Sequence, residues 1–575
     1  MVRLFHSQQI TIQRRRIFFI FSLFVILSAI IIFRLFQLQV VSHSYYLGLA
    51  KAQHTVMRKL NPERGKIYVR DKFTDELFSL VINEKKGLVF AIPKEMKNPE
   101  EVASSLSPIL GIEKEKLLKM ISNKNDVYVI LARKLEPDKV KKISELNLEG
   151  IVTEWEDWRF YPEGRLASSI LGFVDFEGKG NYGIEGYFDE ELKGAPGFLK
   201  AEKDVFGQPV IPVDYQKLEA QKGADIVLTI NRDIQYKTEE ILEKTIWRHG
   251  ASGGNAIVME PKTGKILAMA SYPNFDPNRY EKYPISTFSN TNISSVWEPG
   301  SIFKPITMAS GLDAGKITAD ETYLDQGSVK VGKGKLIYNA LRKAYGWRTM
   351  TDILKLSLNC GAVFVEQKLG PQLFYQYLEK FGFGMPFGLE LTGELGKNLK
   401  PQSEYRKEDL ARVAFGQSIA VTPLQMISAL SVIANSGKLM RPYIVEEIIH
   451  PDDKKEKWTP QVLREVVSPE AARLTAGMMV TVVESGYGWM AKIEGYKLAG
   501  KTGTAQVPLP SGEDYDPYKT IGSFVLFGPV EDPQFIILVK IDHPKGVQWA
   551  ESTAAPAAGE IARFILNYLQ IPPKG

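Results

Sequence analysis

The stretch EPGSIFKP, residues 298–305, is the part of this sequence from which the fold and the chemistry are best derived. Ser301 and Lys304 are three residues apart, so on a helix they share one face. Pro305 is tolerated near a helix start, where backbone N–H groups have no partner, and is costly further in. The stretch therefore predicts a helix that begins close to Ser301, with Lys304 placed to take the proton of the serine.

Two shorter motifs follow in the chain. SLN at residues 357–359 is a Ser-x-Asn pattern, and KTGT at residues 501–504 is a Lys-Thr-Gly pattern. Each pattern is weak evidence alone, but the three in this order indicate a serine nucleophile with a lysine base. We therefore predict one catalytic site with catalytic residues Ser301, Lys304, Ser357, Asn359 and Lys501, and substrate-binding residues Thr502, Gly503 and Thr504.

A serine hydroxyl is a poor nucleophile until a neighbouring base takes its proton. Lys304 can be that base only when it is neutral, although a free lysine has a pKa of about 10.4. Burial and a nearby cation both lower a lysine pKa, and Lys501 is the candidate cation. We expect Ser301, Lys304 and Lys501 to form one buried network.

The remaining motif residues have expected roles around that network. Ser357 would relay a proton to the leaving amine, and Asn359 would orient Lys304 or hold the substrate backbone. The hydroxyls of Thr502 and Thr504, with the charge of Lys501, would bind a substrate carboxylate. Backbone N–H groups of the nucleophile and of Thr504 would form the oxyanion hole.

Two other motifs are rejected on their context. A second Lys-Thr-Gly, residues 262–264, lies between two apolar runs and is typical of a hairpin turn. The pattern G-x-S-x-G at residues 250–254 needs a strand before it and a helix after it, whereas here the predicted order is reversed. Neither is expected to be catalytic.

Composition excludes several classes of protein. The chain has 575 residues, 44% hydrophobic and 24% charged, with a net charge of only +5, which is ordinary globular composition without a nucleic-acid-binding signature. The single cysteine, Cys360, excludes an internal disulfide and is interpreted as a buried filler. The six histidines show no metal-ligand spacing, so no metal and no cofactor are expected.

The N-terminus predicts a membrane anchor. Residues 1–16 form a basic cytoplasmic tail, and residues 17–41 are long and apolar enough to span a bilayer. A cleaved signal peptide is the alternative, but bulky residues follow Phe33 where a small-residue cleavage site is required. The arginines before the span place the tail inside and the rest of the chain outside the cytoplasm.

Two domains are expected beyond the anchor. Residues 42–223 are predicted to form a mixed α/β domain without catalytic motifs, acting as a spacer, pedestal or docking domain. Residues 224–575 are predicted to form the catalytic domain, an α+β fold with one antiparallel sheet covered by helices. Residues 98–122 are predicted to form two short helices in the first of these domains.

The motifs resemble those of class B penicillin-binding proteins, which are monofunctional peptidoglycan D,D-transpeptidases. The resemblance covers nearly the whole chain and includes, besides the three motifs, Arg64-Gly65, Arg159 with Tyr161-Pro162, Gly183-Ile184-Glu185, Gly416-Gln417, and residues 421–425 and 501–506. Residues 298–300 and 392–395, and an ending soon after residues 523–525, favour the division-specific type, often called penicillin-binding protein 3. Sporulation-type relatives carry a C-terminal repeat domain that is not expected here.

The resemblance implies a pedestal of the dimerisation type followed by a serine β-lactamase-like transpeptidase fold. It implies an acyl-enzyme on Ser301, formed from a stem peptide that ends in D-Ala-D-Ala and transferred to an amine of a neighbouring stem. Penicillins and other β-lactams would acylate Ser301 as mimics of that donor. The implied location is a single-pass protein of the cell membrane, with a periplasmic or extracytoplasmic catalytic domain. The implied partners are a membrane-embedded glycan polymerase and other division proteins.

Three positions depart from the family pattern. Val69 stands where an aspartate is usual, and Ser418 and Leu526 stand where glycines are usual. Val69 is expected to affect only local folding, whereas Ser418 and Leu526 are expected to reshape the cleft and its drug selectivity.

Other functions share these motifs. A β-lactamase needs neither an anchor nor a long region before its catalytic domain. A D,D-carboxypeptidase would pass the same acyl-enzyme to water, and an elongation-type transpeptidase would differ in its place in the cell. A non-catalytic scaffold need not keep all three motifs, and a β-lactam sensor needs a larger cytoplasmic output domain.

Overall fold

The computed structural model describes two compact units, one of residues 1–62 with 195–221 and one of residues 63–194 with 222–575. The residues that the structure describes are 2–46, 55–203, 209–210, 216–333, 336–509, 515–547 and 549–573.

The first unit contains the predicted anchor. Val2–Phe36 is one α-helix that continues as a π-helical turn over Gln37–Val41. Its segment Arg16–Val41 has a mean hydropathy of 2.7 and is long and apolar enough to cross a membrane. The unit also contains a four-stranded antiparallel sheet, formed by Thr55–Leu60, Gly197–Lys203, Pro209–Val210 and Gln216–Leu218.

The second unit holds most of the regular structure. Its α-helices are Pro99–Leu110, Lys114–Met120, Pro137–Glu145, Ser168–Leu171, Gly183–Tyr187, Asp189–Lys193, Arg232–His249, Thr291–Ser294, Lys304–Asp313, Met350–Lys355, Asn359–Leu369, Pro371–Lys380, Lys407–Val413, Pro423–Ala434, Pro469–Ser485 and Ala554–Tyr568. The first two confirm the pair of short helices predicted within residues 98–122.

A seven-stranded mixed sheet runs through the unit. Its main path is Lys455–Lys457, Val445–Ile449, Asp225–Leu228, Ile67–Arg70, Leu77–Ala91 and Val129–Leu135, with Ile151–Phe160 paired to the long strand Leu77–Ala91. Asp225–Leu228 pairs in parallel with Ile67–Arg70 and antiparallel with Val445–Ile449. The domain boundary predicted at residues 223/224 therefore lies next to a strand that is hydrogen-bonded to both sequence regions.

A buried ion cluster anchors the part of the unit before that boundary. The carboxylate of Glu185 is fully buried and accepts charge-assisted hydrogen bonds from Arg64 at 2.7 Å and Arg159 at 2.6 Å. Two guanidinium groups around one carboxylate compensate the cost of burying it. Arg64, Arg159 and Glu185 each belong to a different stretch among those on which the family resemblance rests, and the cluster brings these three stretches together.

The catalytic sheet is five-stranded and antiparallel, in the order Ile266–Tyr272, Gly253–Met259, Phe535–Asp542, Tyr515–Gly528, Ala499–Pro508. One face packs on the helices Arg232–His249 and Ala554–Tyr568. The other face packs on the helical layer that contains Lys304–Asp313 and Pro423–Ala434. The prediction of an antiparallel sheet covered by helices is confirmed, and the Ala499–Pro508 strand that carries KTGT forms one edge of the sheet.

Both rejected motifs have the predicted structural context. Residues 262–264 form the turn of the hairpin between Gly253–Met259 and Ile266–Tyr272. Ser252 follows the helix Arg232–His249 and precedes the strand Gly253–Met259, so the order of elements is the reverse of a hydrolase elbow. Its Oγ lies 2.9 Å from Nδ1 of His543 at an exposed position.

Candidate active site

The nucleophile turn, Gly300–Phe303, is a 3₁₀ turn that leads directly into the helix Lys304–Asp313. Ser301 is thus in the first turn before the helix and Pro305 is at its start, as predicted. Gly300 has a φ of +60°, and its N–H donates to the carbonyl of Gly416 at 2.9 Å. A Cβ on Gly416 would lie 2.1 Å from the carbonyl oxygen of Gly300. Glycine at 416 is therefore needed for the close approach that positions Ser301.

Lys304 lies directly beside Ser301. Its Nζ lies 2.9 Å from Ser301 Oγ, 3.1 Å from Ser357 Oγ and 2.5 Å from the Ser357 carbonyl oxygen. The side chain is 1% exposed, so bulk water does not solvate its ammonium form. These distances are within hydrogen-bond reach, as proton transfer from Ser301 requires.

Ser357 lies in the break between the helices Met350–Lys355 and Asn359–Leu369. Its φ of +56° is unusual for a residue with a side chain and turns its hydroxyl between the two lysines. Lys501 Nζ lies 3.0 Å from Ser357 Oγ and donates to the carbonyl of Thr502 at 2.9 Å. The chain Ser301, Lys304, Ser357, Lys501 is thus connected by consecutive hydrogen-bond distances.

Burial sets the protonation of both lysines. It lowers the pKa of Lys304 well below its ordinary value, and the nearby Lys501 charge lowers it further. Burial alone lowers the pKa of Lys501 to about 7. Both shifts favour the neutral amine over the ammonium form. The arrangement thus places a lysine that loses its proton readily within 2.9 Å of the serine hydroxyl.

Asn359 has a different contact from either one considered in the sequence. Its Nδ2 donates to the carbonyl of Tyr338 at 2.9 Å, and its neighbour Cys360 donates its N–H to Asn339 Oδ1 at 3.1 Å. These bonds tie the start of the helix Asn359–Leu369 to the segment that follows strand Ile337–Tyr338. Cys360 is buried, which agrees with its interpretation as a filler, and burial raises its thiol pKa to about 11.

Asp325 holds the segment that follows strand Ile337–Tyr338 in place through hydrogen bonds. Its buried carboxylate accepts from Nδ2 of Asn339 at 2.9 Å on each oxygen and from the Tyr345 N–H at 2.9 Å. Asn339 and Tyr345 both line the cleft. The sequence alone did not reveal Asp325, because its role depends on contacts between segments far apart in the chain.

The residues of the KTGT motif have two kinds of environment. Some line the cleft, and others pack against neighbouring segments. Thr502 and Thr504 line the cleft, and Thr504 Oγ1 accepts a hydrogen bond from the Ala550 N–H at 3.2 Å. A Cβ on Gly503 would lie 2.8 Å from the carbonyl oxygen of Pro299 and 2.9 Å from Ile302. Gly503 thus allows the nucleophile turn to pack closely on the edge strand.

The cleft that contains Ser301 encloses about 280 Å³. Besides the motif residues it is lined by side chains that sequence reasoning did not select, namely Asn339, Leu341, Tyr345, Phe415, Gln417, Tyr487, Trp549 and Glu551. Gln417 follows Gly416 in one of the stretches on which the family resemblance rests. That stretch could therefore have identified Gln417 as a residue of the cleft. The others come from segments without a motif.

The two glycine departures lie in different places. Ser418 has a φ of +60°, where glycine is less strained, and its N–H donates to Glu298 Oε1 at 2.9 Å. Glu298 also accepts from the Tyr515 hydroxyl at 2.9 Å, so Ser418 lies beside the segment that leads to the nucleophile. Leu526 is fully buried on the sheet face that packs on the helices Arg232–His249 and Ala554–Tyr568. The expectation that Leu526 reshapes the cleft is therefore wrong, because its side chain is on the opposite face of the sheet.

No group of three or more His, Cys, Asp or Glu side chains among the described residues is arranged to hold a metal ion.

Comparison with known proteins identifies two family domains. The model of the penicillin-binding protein transpeptidase domain matches residues 254–567, and that of the penicillin-binding protein dimerisation domain matches residues 59–228. Stage V sporulation protein D of Bacillus subtilis is 33% identical over 98% of this chain and 87% of its own length. The peptidoglycan D,D-transpeptidase FtsI homolog of Mesostigma viride is 29% identical over 97% of this chain and 96% of its own length.

Solved structures agree with this assignment. Penicillin-binding protein 3 of Mycobacterium tuberculosis, in complex with aztreonam, is 25% identical with a TM-score of 0.69, over 90% of this chain and 99% of that chain. The matched regions include all three motifs and the ion cluster of Arg64, Arg159 and Glu185. The chain therefore belongs to the penicillin-binding protein family, in its class B branch, and is a serine-type peptidoglycan transpeptidase.

Proposed function

We propose that this transpeptidase cross-links stem peptides in septal cell-wall synthesis, with Ser301 as its nucleophile and Lys304 as the base. The observation that carries the proposal is the 2.9 Å distance between Ser301 Oγ and the buried Nζ of Lys304, at the floor of a cleft. A neutral amine at that distance can take the serine proton as the hydroxyl attacks.

The first half-reaction forms the acyl-enzyme. Ser301 Oγ attacks the carbonyl carbon of the penultimate D-alanine, and its proton passes to Lys304. The C–N bond to the terminal D-alanine breaks, and Lys304 passes the proton to the leaving amine through Ser357, whose hydroxyl lies 3.1 Å from Lys304 Nζ and 3.0 Å from Lys501 Nζ. Backbone N–H groups of Ser301 and Thr504 stabilise the oxyanion.

The donor is held by the KTGT strand and the Ser-x-Asn turn. The Thr502 and Thr504 hydroxyls, with the charge of Lys501, bind the terminal carboxylate of the donor. Gly503 contributes through close packing of the nucleophile turn on this strand. Asn359 orients the backbone of the donor. Its hydrogen bond to the Tyr338 carbonyl holds the Asn359 side chain in place at one side of the cleft. In the second half-reaction the acceptor amine attacks the acyl carbon and gives a proton to Lys304, the C–O bond to Ser301 breaks, and Lys304 passes that proton to Ser301 Oγ.

The chain acts at the outer side of the cell membrane. The span Arg16–Val41 anchors it, and the arginines at positions 3, 14, 15 and 16 keep the N-terminus in the cytoplasm. An alkaline phosphatase fused after Val41 should be active, since that enzyme works only outside the cytoplasm. An inactive fusion that is stable in the membrane would contradict this orientation.

The division role rests on residues 298–300 and 392–395 and on the likeness to a penicillin-binding protein 3. The expected partners are a membrane-embedded glycan polymerase and other division proteins. A fluorescent fusion of the full chain should collect at the division septum. Collection along the side wall would instead support an elongation-type transpeptidase.

The reaction is tested by labelling the full chain with a fluorescent penicillin, beside Ser301→Ala and Lys304→Ala. Stable label on the wild type alone is expected. A folded wild type without label would overturn the proposal in favour of a non-catalytic scaffold. Label that is lost within seconds would indicate a β-lactamase.

A further inference from the structure

One wall of the cleft combines a carboxylate with two phenol rings. Glu551, Tyr487 and Tyr345 all line the cleft that contains Ser301, and all three are partly exposed there. They come from separate segments of the chain. The catalytic steps proposed for the donor half-reaction use none of them.

Two of the three residues lie in segments that backbone hydrogen bonds hold against the site and against a buried carboxylate. The Ala550 N–H donates to Thr504 Oγ1 at 3.2 Å, which fixes the turn of Glu551 against the KTGT strand. The Tyr345 N–H donates to the buried carboxylate of Asp325 at 2.9 Å. The positions of Glu551 and Tyr345 are therefore coupled to the site and are not those of free surface loops.

Tyr487 links the other two residues. Its side chain is hydrogen-bonded to that of Tyr345, and its pKa is raised by burial, by the nearby carboxylate of Glu551 and by that hydrogen bond. All three residues thus border the same cleft.

Glu551 supplies the charge of this wall. Among the described residues that line the cleft it is the one with a formally charged side chain at neutral pH. No lysine or arginine of the described part of the chain forms an ion pair with it. A carboxylate that faces a cleft without a cation of its own attracts a cationic ligand.

We propose that Glu551, Tyr487 and Tyr345 form the subsite that receives the acceptor as its ammonium ion. A carboxylate forms strong charge-assisted hydrogen bonds with an ammonium group, and aromatic faces attract cations. The inference rests on the proposed function, because it assigns the second substrate of the same site. It also makes Glu551 a residue that selects a basic amine over water or a neutral nucleophile.

The chemistry of transfer balances around this subsite. The bound ammonium loses one proton to water and becomes the neutral amine. Its nitrogen forms a C–N bond to the acyl carbon, and the ester C–O bond to Ser301 breaks. The second proton of the nitrogen passes through Lys304 to Ser301 Oγ, which regenerates the free enzyme.

The test compares two nucleophiles on one acyl-enzyme. The full chain in detergent is supplied with an N-acyl-D-alanyl thioester as donor. The acceptor is either Nα-acetyl-lysine amide, a cation at neutral pH, or hydroxylamine, which is neutral. Because both react with the same intermediate, the ratio of their transfer rates does not depend on the rate of acylation.

Glu551→Gln is expected to raise the KM for the lysine acceptor about tenfold, with little change in the KM for hydroxylamine. Glu551→Asp should recover part of the preference. Glu531→Gln is the matched control, because Glu531 lies in the turn between the strands Tyr515–Gly528 and Phe535–Asp542, away from the residues that line the cleft.

Two results would overturn the inference. An unchanged ratio of lysine to hydroxylamine transfer in Glu551→Gln would exclude Glu551 from the acceptor subsite while leaving the proposed function intact. A wild type that forms no acyl-enzyme with either the thioester or penicillin would overturn the proposed function and this inference together.

Discussion

Two requirements meet at Ser357, one on its side-chain hydroxyl and one on its backbone conformation. Its hydroxyl lies 3.1 Å from Lys304 Nζ and 3.0 Å from Lys501 Nζ. Its backbone has a φ of +56°, which disfavours any residue with a Cβ. The hydroxyl and the strain are separable by mutation, because alanine and glycine both remove the hydroxyl but only glycine relieves the strain.

We predict that Ser357→Ala and Ser357→Gly lower the rate of acylation by penicillin to a similar extent, about 10²-fold, since both remove the proton relay. Ser357→Gly should be more stable than Ser357→Ala by about 1 kcal/mol. Stopped-flow acylation and thermal unfolding measure the two effects. A glycine variant that acylates at the wild-type rate would show that the backbone turn, not the hydroxyl, is what the reaction requires.

The buried lysine Lys501 predicts a pH dependence of stability. Its pKa is about 7 in the folded protein, below the ordinary value of 10.5. Between these two values the unfolded chain binds more protons than the folded one, so the stability contributed by this group rises with pH from about 7 to 10.5. Below pH 7 both states are protonated and its contribution is constant.

We therefore predict that Lys501→Met reduces the rise of Tm between pH 7 and pH 10 relative to the wild type. Lys497→Met is the matched control, because Lys497 is two-thirds exposed at 67% and should leave the slope unchanged. Equal slopes in the wild type and Lys501→Met would mean that Lys501 keeps an ordinary pKa. Differential scanning fluorimetry in detergent gives the Tm values.

At the scale of elements, the site depends on how closely three backbone segments approach one another. The nucleophile turn Gly300–Phe303 packs between the KTGT strand and the segment around Gly416, with glycines at two contacts. The Cβ of any other residue at 416 would lie 2.1 Å from the Gly300 carbonyl oxygen. A methyl group at this position must displace the turn that carries Ser301.

Gly416→Ala is predicted to lower acylation by penicillin at least 10²-fold, because a shift of about 1 Å at a reacting group has an effect of that size. Gly393→Ala is the matched control. Gly393 has a φ of +88°, close to the +80° of Gly416, but open space around its Cα. Both variants carry the same kind of backbone strain, so equal acylation rates in the two would contradict a role for close packing at Gly416.

The sequence predicted the motif residues of the site better than the other residues around the cleft. Ser301, Lys304, Ser357 and Lys501 were found because fixed spacing and chain order carry their chemistry, and the structure brings these four together. Asn359 also lines the cleft, but its bond to Tyr338 depends on a segment that no local pattern links to it. Asp325 and Glu551 were missed for the same reason, since a carboxylate has no local signature until the fold places it.

At the scale of the whole molecule, the two sequence regions on either side of residue 224 share a sheet. The sequence analysis predicted a domain boundary near that residue, and the family domains match residues 59–228 and 254–567. Yet Asp225–Leu228 is hydrogen-bonded to Ile67–Arg70 on one side and Val445–Ile449 on the other. Strand pairing between distant segments cannot be read from local periodicity, so the sequence did not predict this continuity.

Because the sheet is continuous, a mutation that destabilises the region before residue 224 should also destabilise the region after it. The buried Glu185, between Arg64 and Arg159, is the strongest test, because removing its charge leaves the buried Arg159 without a carboxylate partner, whereas Arg64 keeps its ion pair with Asp189 at 2.8 Å. Breaking such a pair costs about 3–5 kcal/mol. Glu149→Gln is the matched control in the same region, since the Glu149–Lys97 pair is exposed and is worth about 0–1 kcal/mol.

We predict that Glu185→Gln lowers the temperature at which penicillin labelling of Ser301 is lost, and that this loss coincides with the unfolding of residues 63–194. Glu149→Gln should leave both temperatures near those of the wild type. Labelling and hydrogen exchange along a temperature series measure the two events in one sample. If labelling in Glu185→Gln survives to the wild-type temperature while residues 63–194 exchange freely, the shared sheet does not couple the regions. Coincident loss would mean that the Asp225–Leu228 strand transmits stability from the ion cluster to the catalytic site, so that the two sequence regions fold as one unit.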